Sequence, residues 1–179
     1  MTIRFTFDAE KALEALVYIV SKTSADLYGA LKIYYNADKM HLHKFGRFIS
    51  GDYYKALPYG PVPQGAYDIL HYVRGTHTAS PVPMARDALR FKGQNDLEAL
   101  READLDALSK TDVECLDAAI SRDGKKRFWQ LKRETHDAAW QATLKNQEIA
   151  VEAIAGMADE RRRQELLQYL ADRYPDTSC

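Results

Sequence analysis

The chain has 179 residues, 46% hydrophobic and 28% charged, which suits one globular domain burying roughly 70% of its extended-chain surface without disulfides or metals. Its 25 Lys and Arg are balanced by 26 Asp and Glu, and a net charge of −1 argues against a general nucleic-acid binder, which needs surplus cations to displace counterions from phosphate. The 2 cysteines, Cys115 and Cys179, are too few for a disulfide framework or a paired-cysteine zinc site. Residues 1–8 lack the apolar run of an export signal, and the longest apolar stretch, residues 15–20, is far too short to cross a bilayer, so the cytoplasm is the expected location.

Asp8 is predicted to cap a first helix running to about Lys22, with Leu13, Leu16, Val17 and Val20 at helical spacing. A longer second helix restarts at Ser24 or Asp26 and runs to Lys44 or Phe45. Leu27, Leu31, Tyr34, Ala37, His41 and Phe45 share its broad face, and Gly46 is placed to stop it. Phe48-Ile49, then Ser50-Gly51-Asp52, then residues 53–57 predict a strand, a glycine turn and a second strand. The following Pro58-Tyr59-Gly60-Pro61-Val62-Pro63 is predicted as a stiff irregular loop, since its prolines remove donors and fix φ. A helix resumes from Gln64 to Arg74, ended by Gly75.

Residues 76–83 form a connection, and residues 88–92 and 97–100 are expected to pair as a small hairpin. Ser109 or Thr111 caps another helix to about Ser121, with Glu114 as the capping partner. Further helices are expected over residues 124–134, 146–157 and 159–174, the last two amphipathic. The fold class is therefore mainly α with a small β-hairpin element (α+β): a compact helical domain over residues 1–142 and a C-terminal helical extension over 143–179.

Asp38, His41, His43 and Asp52 lie close enough in sequence to raise a metal site or a His/Asp hydrolase using Asp38, His41 and Asp52. Asp38 and His41 share a helix face, while His43 points away, and the expectation is a hydrogen-bonded cluster rather than a metal centre. Zinc, nucleophile-elbow and phosphate-loop motifs are all missing, so neither a catalytic residue nor a cofactor is expected. Cys115 falls on an apolar helix side and is assigned to the core; Cys179 is expected to be a mobile end. The basic stretch from Lys125 to Arg133 raises a nucleic-acid-binding repressor as a weaker idea, although a solvated helix face accounts for it more simply.

The most distinctive segment is aromatic and proline-rich: Tyr34, Tyr35, Phe45, Phe48, Tyr53, Tyr54, Tyr59 and Tyr67 surround the Pro58–Pro63 run. Most of these side chains are expected to build core. A few are expected to stay partly exposed, where a tyrosine beside a rigid loop makes a docking edge of low ordering entropy.

The same segment carries a resemblance. Tyr35-Asn36-Ala37-Asp38-Lys39, then His41, then Gly46-Arg47-Phe48-Ile49-Ser50-Gly51-Asp52, is similar to the opening motif of the Panacea domain, the family of SocA-like antitoxins and phage-associated GepA-like proteins. Tyr59-Gly60-Pro61-Val62-Pro63 and Tyr67-Asp68 resemble its next motif; Leu108-Ser109 and Thr135-His136 with Trp140 resemble later, looser signatures. The resemblance implies an antitoxin that neutralises a cognate protein toxin by direct contact, and in the SocA branch an adaptor that delivers the toxin to the ClpXP protease. It singles out Tyr34, Asp38, His41, Gly51, Asp52, Tyr59, Gly60, Pro61, Val62 and Tyr67 as scaffold or partner-binding residues. Asp38 and Asp52 are expected to pin a hairpin onto the second helix, and Tyr59 and Pro61 to edge a groove.

Overall fold

The computed structural model describes residues 3–174, so the expected mobile end at Cys179 lies outside the described residues. Helix α1 (Ala9–Lys22) begins where the Asp8 carboxylate accepts the Lys11 N–H, and α2 (Leu27–Phe45) where Asp26 accepts that of Gly29. Gly46, at φ 74°, ends α2 in the left-handed conformation that glycine adopts without strain. Helix α1 is buried continuously from Ala12 to Val20, far beyond a single stripe, because α2 and the segments over residues 64–74 and 97–99 cover it from several sides. Glu14 is carried inside with them. Burial alone would raise its carboxyl, but two bonds from Arg101 and the Asp104 N–H hold it below the usual range.

The hairpin differs from expectation. Strand β1 (Tyr54–Leu57) pairs antiparallel with β2 (Gly60–Pro63), so the proline-rich run is itself a strand and the turn is Pro58-Tyr59. The reason is register. Ala56 points its N–H at Gln147 on the far side of β1, so Lys55 and Leu57 face β2, opposite Val62 and Gly60. Pro61 and Pro63 fall at the alternate positions, whose nitrogens point off the edge, where no ladder donor is needed. Phe48 and Ile49 do not form a strand, because side chains capture their backbone: Asp38 takes the Ile49 N–H, and Arg47 donates to both carbonyls.

Helix α3 (Gln64–Arg74) follows β2 directly. Next come the short α4 (Ala85–Ala88) and the expected small hairpin, β3 (Leu89–Phe91) with β4 (Leu97–Ala99). A 3-10 turn over Leu105–Ala107 leads to α5 (Lys110–Asp123), capped reciprocally by Ser109 and Asp112. Asp112 occupies the third helical position that a capping box requires; Glu114 lies one turn face away and pairs with Lys44 instead. Helix α6 starts late (Phe128–Thr135), since α5 continues to Asp123 and Gly124 caps it, and α7 (Ala138–Gln141) follows.

Residues 146–157 do not form one helix. Asn146 turns the chain at φ 65°, and β5 (Glu148–Ile149) joins the free side of β1, giving the order β2-β1-β5. Only then do α8 (Val151–Ala155) and α9 (Glu160–Arg173) form, with Ile154, Ala155, Leu166 and Leu170 buried against the rest. The segment beyond residue 142 thus supplies a strand to the central sheet. The architecture is mainly α with a small antiparallel β element, and among the described residues no helix is long and apolar enough to cross a membrane.

Candidate functional site

Helix α2 runs through the core for most of its length, so the polar groups it buries cannot reach water and each must find a partner on a neighbouring segment. Lys32, only 1% exposed, donates to the Pro61 carbonyl at 2.8 Å. Tyr34 shares a short hydrogen bond with Ser50. Tyr35 donates to Asp137, and the Asn36 amide to Asp123, at 2.8 and 2.9 Å. Asp38 accepts the Tyr54 hydroxyl and the Ile49 N–H, both at 2.6 Å. These bonds bind α2 to the 47–52 segment, both hairpin strands, α5 and the start of α7.

Burial pushes the Asp38 carboxyl up to about 7 despite its two donors. Burial likewise lowers the Lys32 ammonium to about 7, helped by the charge of Lys132. Both are ionisable groups that folding has taken from water with neutral partners only. The Lys32 bond explains how β2 can be an edge strand and still be buried: its outward carbonyl at Pro61 is satisfied by an ammonium group in place of another strand.

Asp52 has a different task. Helix α3 starts straight after Pro63, whose side chain cannot cap it. Asp52, just before β1 and across the open end of the hairpin, supplies the cap, accepting N–H bonds from Gly65 and Ala66, each 2.8 Å, besides that of Tyr53. Burial still lifts its carboxyl to about 6. Gly51 makes this placement possible: at φ 70°, any Cβ there would drive into the Thr6 carbonyl.

His41 points the other way, between Arg47 and α5. Its Nδ1 donates to the Arg47 carbonyl at 2.9 Å, and Nε2 lies 3.0 Å from Thr111 Oγ1 and 3.1 Å from Asp112 Oδ1. Asp112 also receives Arg47 and Lys11. Burial opposes its ionisation, but the bonds from His41 and Ser109 and the Arg47 charge hold it well below the usual carboxylate range. Asp38, His41 and Asp52 therefore serve three separate structural junctions and do not converge on a common opening. Among the described residues no cluster of His, Cys, Asp and Glu is arranged to hold a metal ion.

The hairpin tip is the part of the motif that faces outward. Tyr59 is 53% exposed, while Gly60, Pro61 and Val62 are buried beneath it, so Pro61 packs inward and does not edge a groove. The Tyr59 ring sits among Tyr28, Phe128 and the Lys132 ammonium, the last 5.0 Å from its centroid. Gly60, at φ 108°, lies against Lys32, Thr135 and His136; a Cβ would stand 2.9 Å from Lys32 Nζ. His136 stacks on Trp140 at 3.8 Å, and the Trp140 indole N–H donates to the Leu57 carbonyl. Tyr67 lies on α3, half-buried, with its ring 4.2 Å from that of His71.

One family profile, antitoxin SocA-like, Panacea domain, matches residues 31–141, more than half of the chain. The chain belongs to this family. Comparison with curated proteins and with solved structures gave no match. In this Panacea domain the matched stretch starts at Leu31 on the central helix and ends at Gln141 on α7, and it includes the bonds that join α2 to the hairpin, α5 and α7. Its signature residues divide by position. Tyr34, Asp38, His41, Gly51, Asp52 and Gly60 lock the 47–63 segment onto α2, and Tyr59 is left on the surface.

Four anchors escaped sequence reasoning: Lys32, Asp112, Asp123 and Asp137. Lys32 carried a detectable signal, a single cation inside the apolar run Ala30-Leu31-Lys32-Ile33-Tyr34. The three aspartates resemble ordinary helix caps and surface acids in sequence, and nothing local marks them as the partners of α2.

Proposed function

We propose that this chain neutralises a cognate protein toxin by direct contact and catalyses no reaction. The observation that carries this reading is the division of labour within the Panacea motif. Asp38, His41 and Asp52, the groups a hydrolase would use, are consumed in three separate junctions, with β1, with α5 and with the start of α3. The hairpin in turn presents a half-exposed tyrosine on a rigid base, with Pro58, Pro61 and Pro63 limiting backbone freedom. Membership of an antitoxin family supports a toxin as the partner.

The test is co-expression in a bacterium with the protein encoded beside this chain. Toxicity of the neighbour alone, relieved by this chain, is the expected outcome; persisting toxicity refutes the proposal. Rescue is expected to survive in a strain lacking ClpX, and its loss there would replace simple neutralisation with delivery to ClpXP.

A further inference from the structure

Many cations of this chain are matched by nearby carboxylates, among them Lys39 by Asp137, Arg47 by Asp112, Arg101 by Glu14, and Arg122 and Lys126 by Asp123. The outer face of α6 differs. Among the described residues Arg127, Lys132 and Arg133 make no ion pair, although Glu134 lies on the same helix, because Glu134 is taken by Lys126. Instead Lys132 lies over the Tyr59 ring and Arg133 over the Trp129 ring, 5.5 Å away, and Trp129 is 55% exposed. Neighbouring groups feel the uncompensated charge. Burial first, and then Lys132, lowers the affinity of both Lys32 and His136 for a proton.

On the other flank of the tip is an apolar depression of about 320 Å³, lined by Ala56, Leu57, Pro58, Trp140, Thr143 and Lys145. Leu144, beside it, is 79% exposed. A positive aromatic face and an apolar hollow thus border one rigid turn. Aromatic rings holding cations over their faces present both stacking surface and charge, and a carboxylate approaching Lys132 would relieve the repulsion it exerts on Lys32 and His136.

From this juxtaposition we infer that the tip of the β1–β2 hairpin, together with the outer face of α6, is the toxin-binding surface, and that it receives an acidic segment carrying an aliphatic side chain. The inference rests on the direct-neutralisation reading above. The acidic residues meet Lys132, Arg133 and Arg127; the aliphatic side chain enters the hollow beside Pro58 and Trp140. A nucleic-acid strand fits less well, since it offers no aliphatic group for that hollow and the chain as a whole carries a net charge of −1.

The experiment uses the full chain, tagged and co-expressed with the protein encoded beside it, followed by titration of the purified pair at low and high salt. In the variant Lys132→Glu/Arg133→Glu, affinity is expected to fall roughly tenfold or more, most at low salt, with loss of growth rescue. The neutralising variant Lys132→Gln/Arg133→Gln is expected to lie between it and the parent. Arg161→Glu/Arg173→Glu, which changes cations on α9, is the control and is expected to bind within about twofold of the parent. Circular dichroism melting of each variant separates a lost contact from a lost fold.

Parental affinity in both α6 variants, with rescue intact, overturns the surface assignment and leaves direct neutralisation standing. A neighbour that is neither toxic nor bound by the parent removes the neutralisation reading and this inference with it. If the α6 variants bind the toxin normally but lose affinity for duplex DNA from upstream of the gene, the face is a nucleic-acid surface and the inference is wrong.

Discussion

Replacing Lys32 by Met keeps the length and most of the volume of the side chain but removes its charge and its donor to Pro61. The ammonium falls from 10.5 to about 7 on folding, a change of three to four units at about 1.4 kcal/mol each, so burying it charged costs up to about 5 kcal/mol near neutrality. The sign follows from proton counts. Between pH 7 and 10.5 the unfolded chain holds the Lys32 proton and the folded chain has released it, so stability rises with pH across that window. In Lys32→Met this gain disappears. What remains is an unpaired, buried Pro61 carbonyl, at roughly 1–3 kcal/mol.

The variant is therefore expected to be more stable than the parent at pH 7, by up to roughly 2–4 kcal/mol, and less stable near pH 10, by up to roughly 1–3 kcal/mol, where the parental lysine is a neutral donor. Urea denaturation of both proteins at neutral and alkaline pH measures this directly. A Lys32→Met protein that is destabilised equally at both pH values would show that the lysine stays charged in the fold, and the reasoning would fail.

Asp38 should show the complementary dependence. Its carboxyl rises from 3.8 to about 7, the folded protein binds the extra proton in that window, and its contribution to stability falls as pH increases through it. Asp38→Asn is expected to flatten this fall in denaturant titrations between about pH 4 and about pH 7; an unchanged slope would rule Asp38 out as its source. Asp38→Ala, which strands the Tyr54 hydroxyl and the Ile49 N–H, should cost about 3–5 kcal/mol by the same assay. Gly51→Ala meets both a positive φ and the Thr6 carbonyl and should lose at least about 2 kcal/mol, and a near-neutral result would mean the 5–7 segment moves freely. Cys115 is fully buried, with its thiol pushed up to about 11 by burial, so in a Cys179→Ser background it should react with a thiol reagent only as fast as the protein unfolds. Rapid labelling of the native protein would contradict that.

Where structure was decided by neighbours in the chain, the amino-acid sequence was sufficient. Asp8 and Asp26 start their helices and Gly46 stops one, and these signals operate within a turn of the backbone. The mainly α class and the small β3–β4 hairpin were legible in the same way, as were the Tyr-x-Ala-Asp-Lys-like and Tyr-Gly-Pro-Val-Pro motifs; that a few aromatics stay exposed was legible too, but only the fold shows that Tyr59 is one of them. Tertiary contact decided the rest. Proline makes residues 60–63 look irregular until Lys32 is found covering the edge on which the missing donors lie. Residues 148–149 carry a helical pattern until β1 offers them a free ladder. Asp52 reads as a turn residue until α3 arrives needing a cap that Pro63 cannot provide. In each case a backbone group needed a partner in a dry interior, and the partner came from far along the chain, where no local pattern records it.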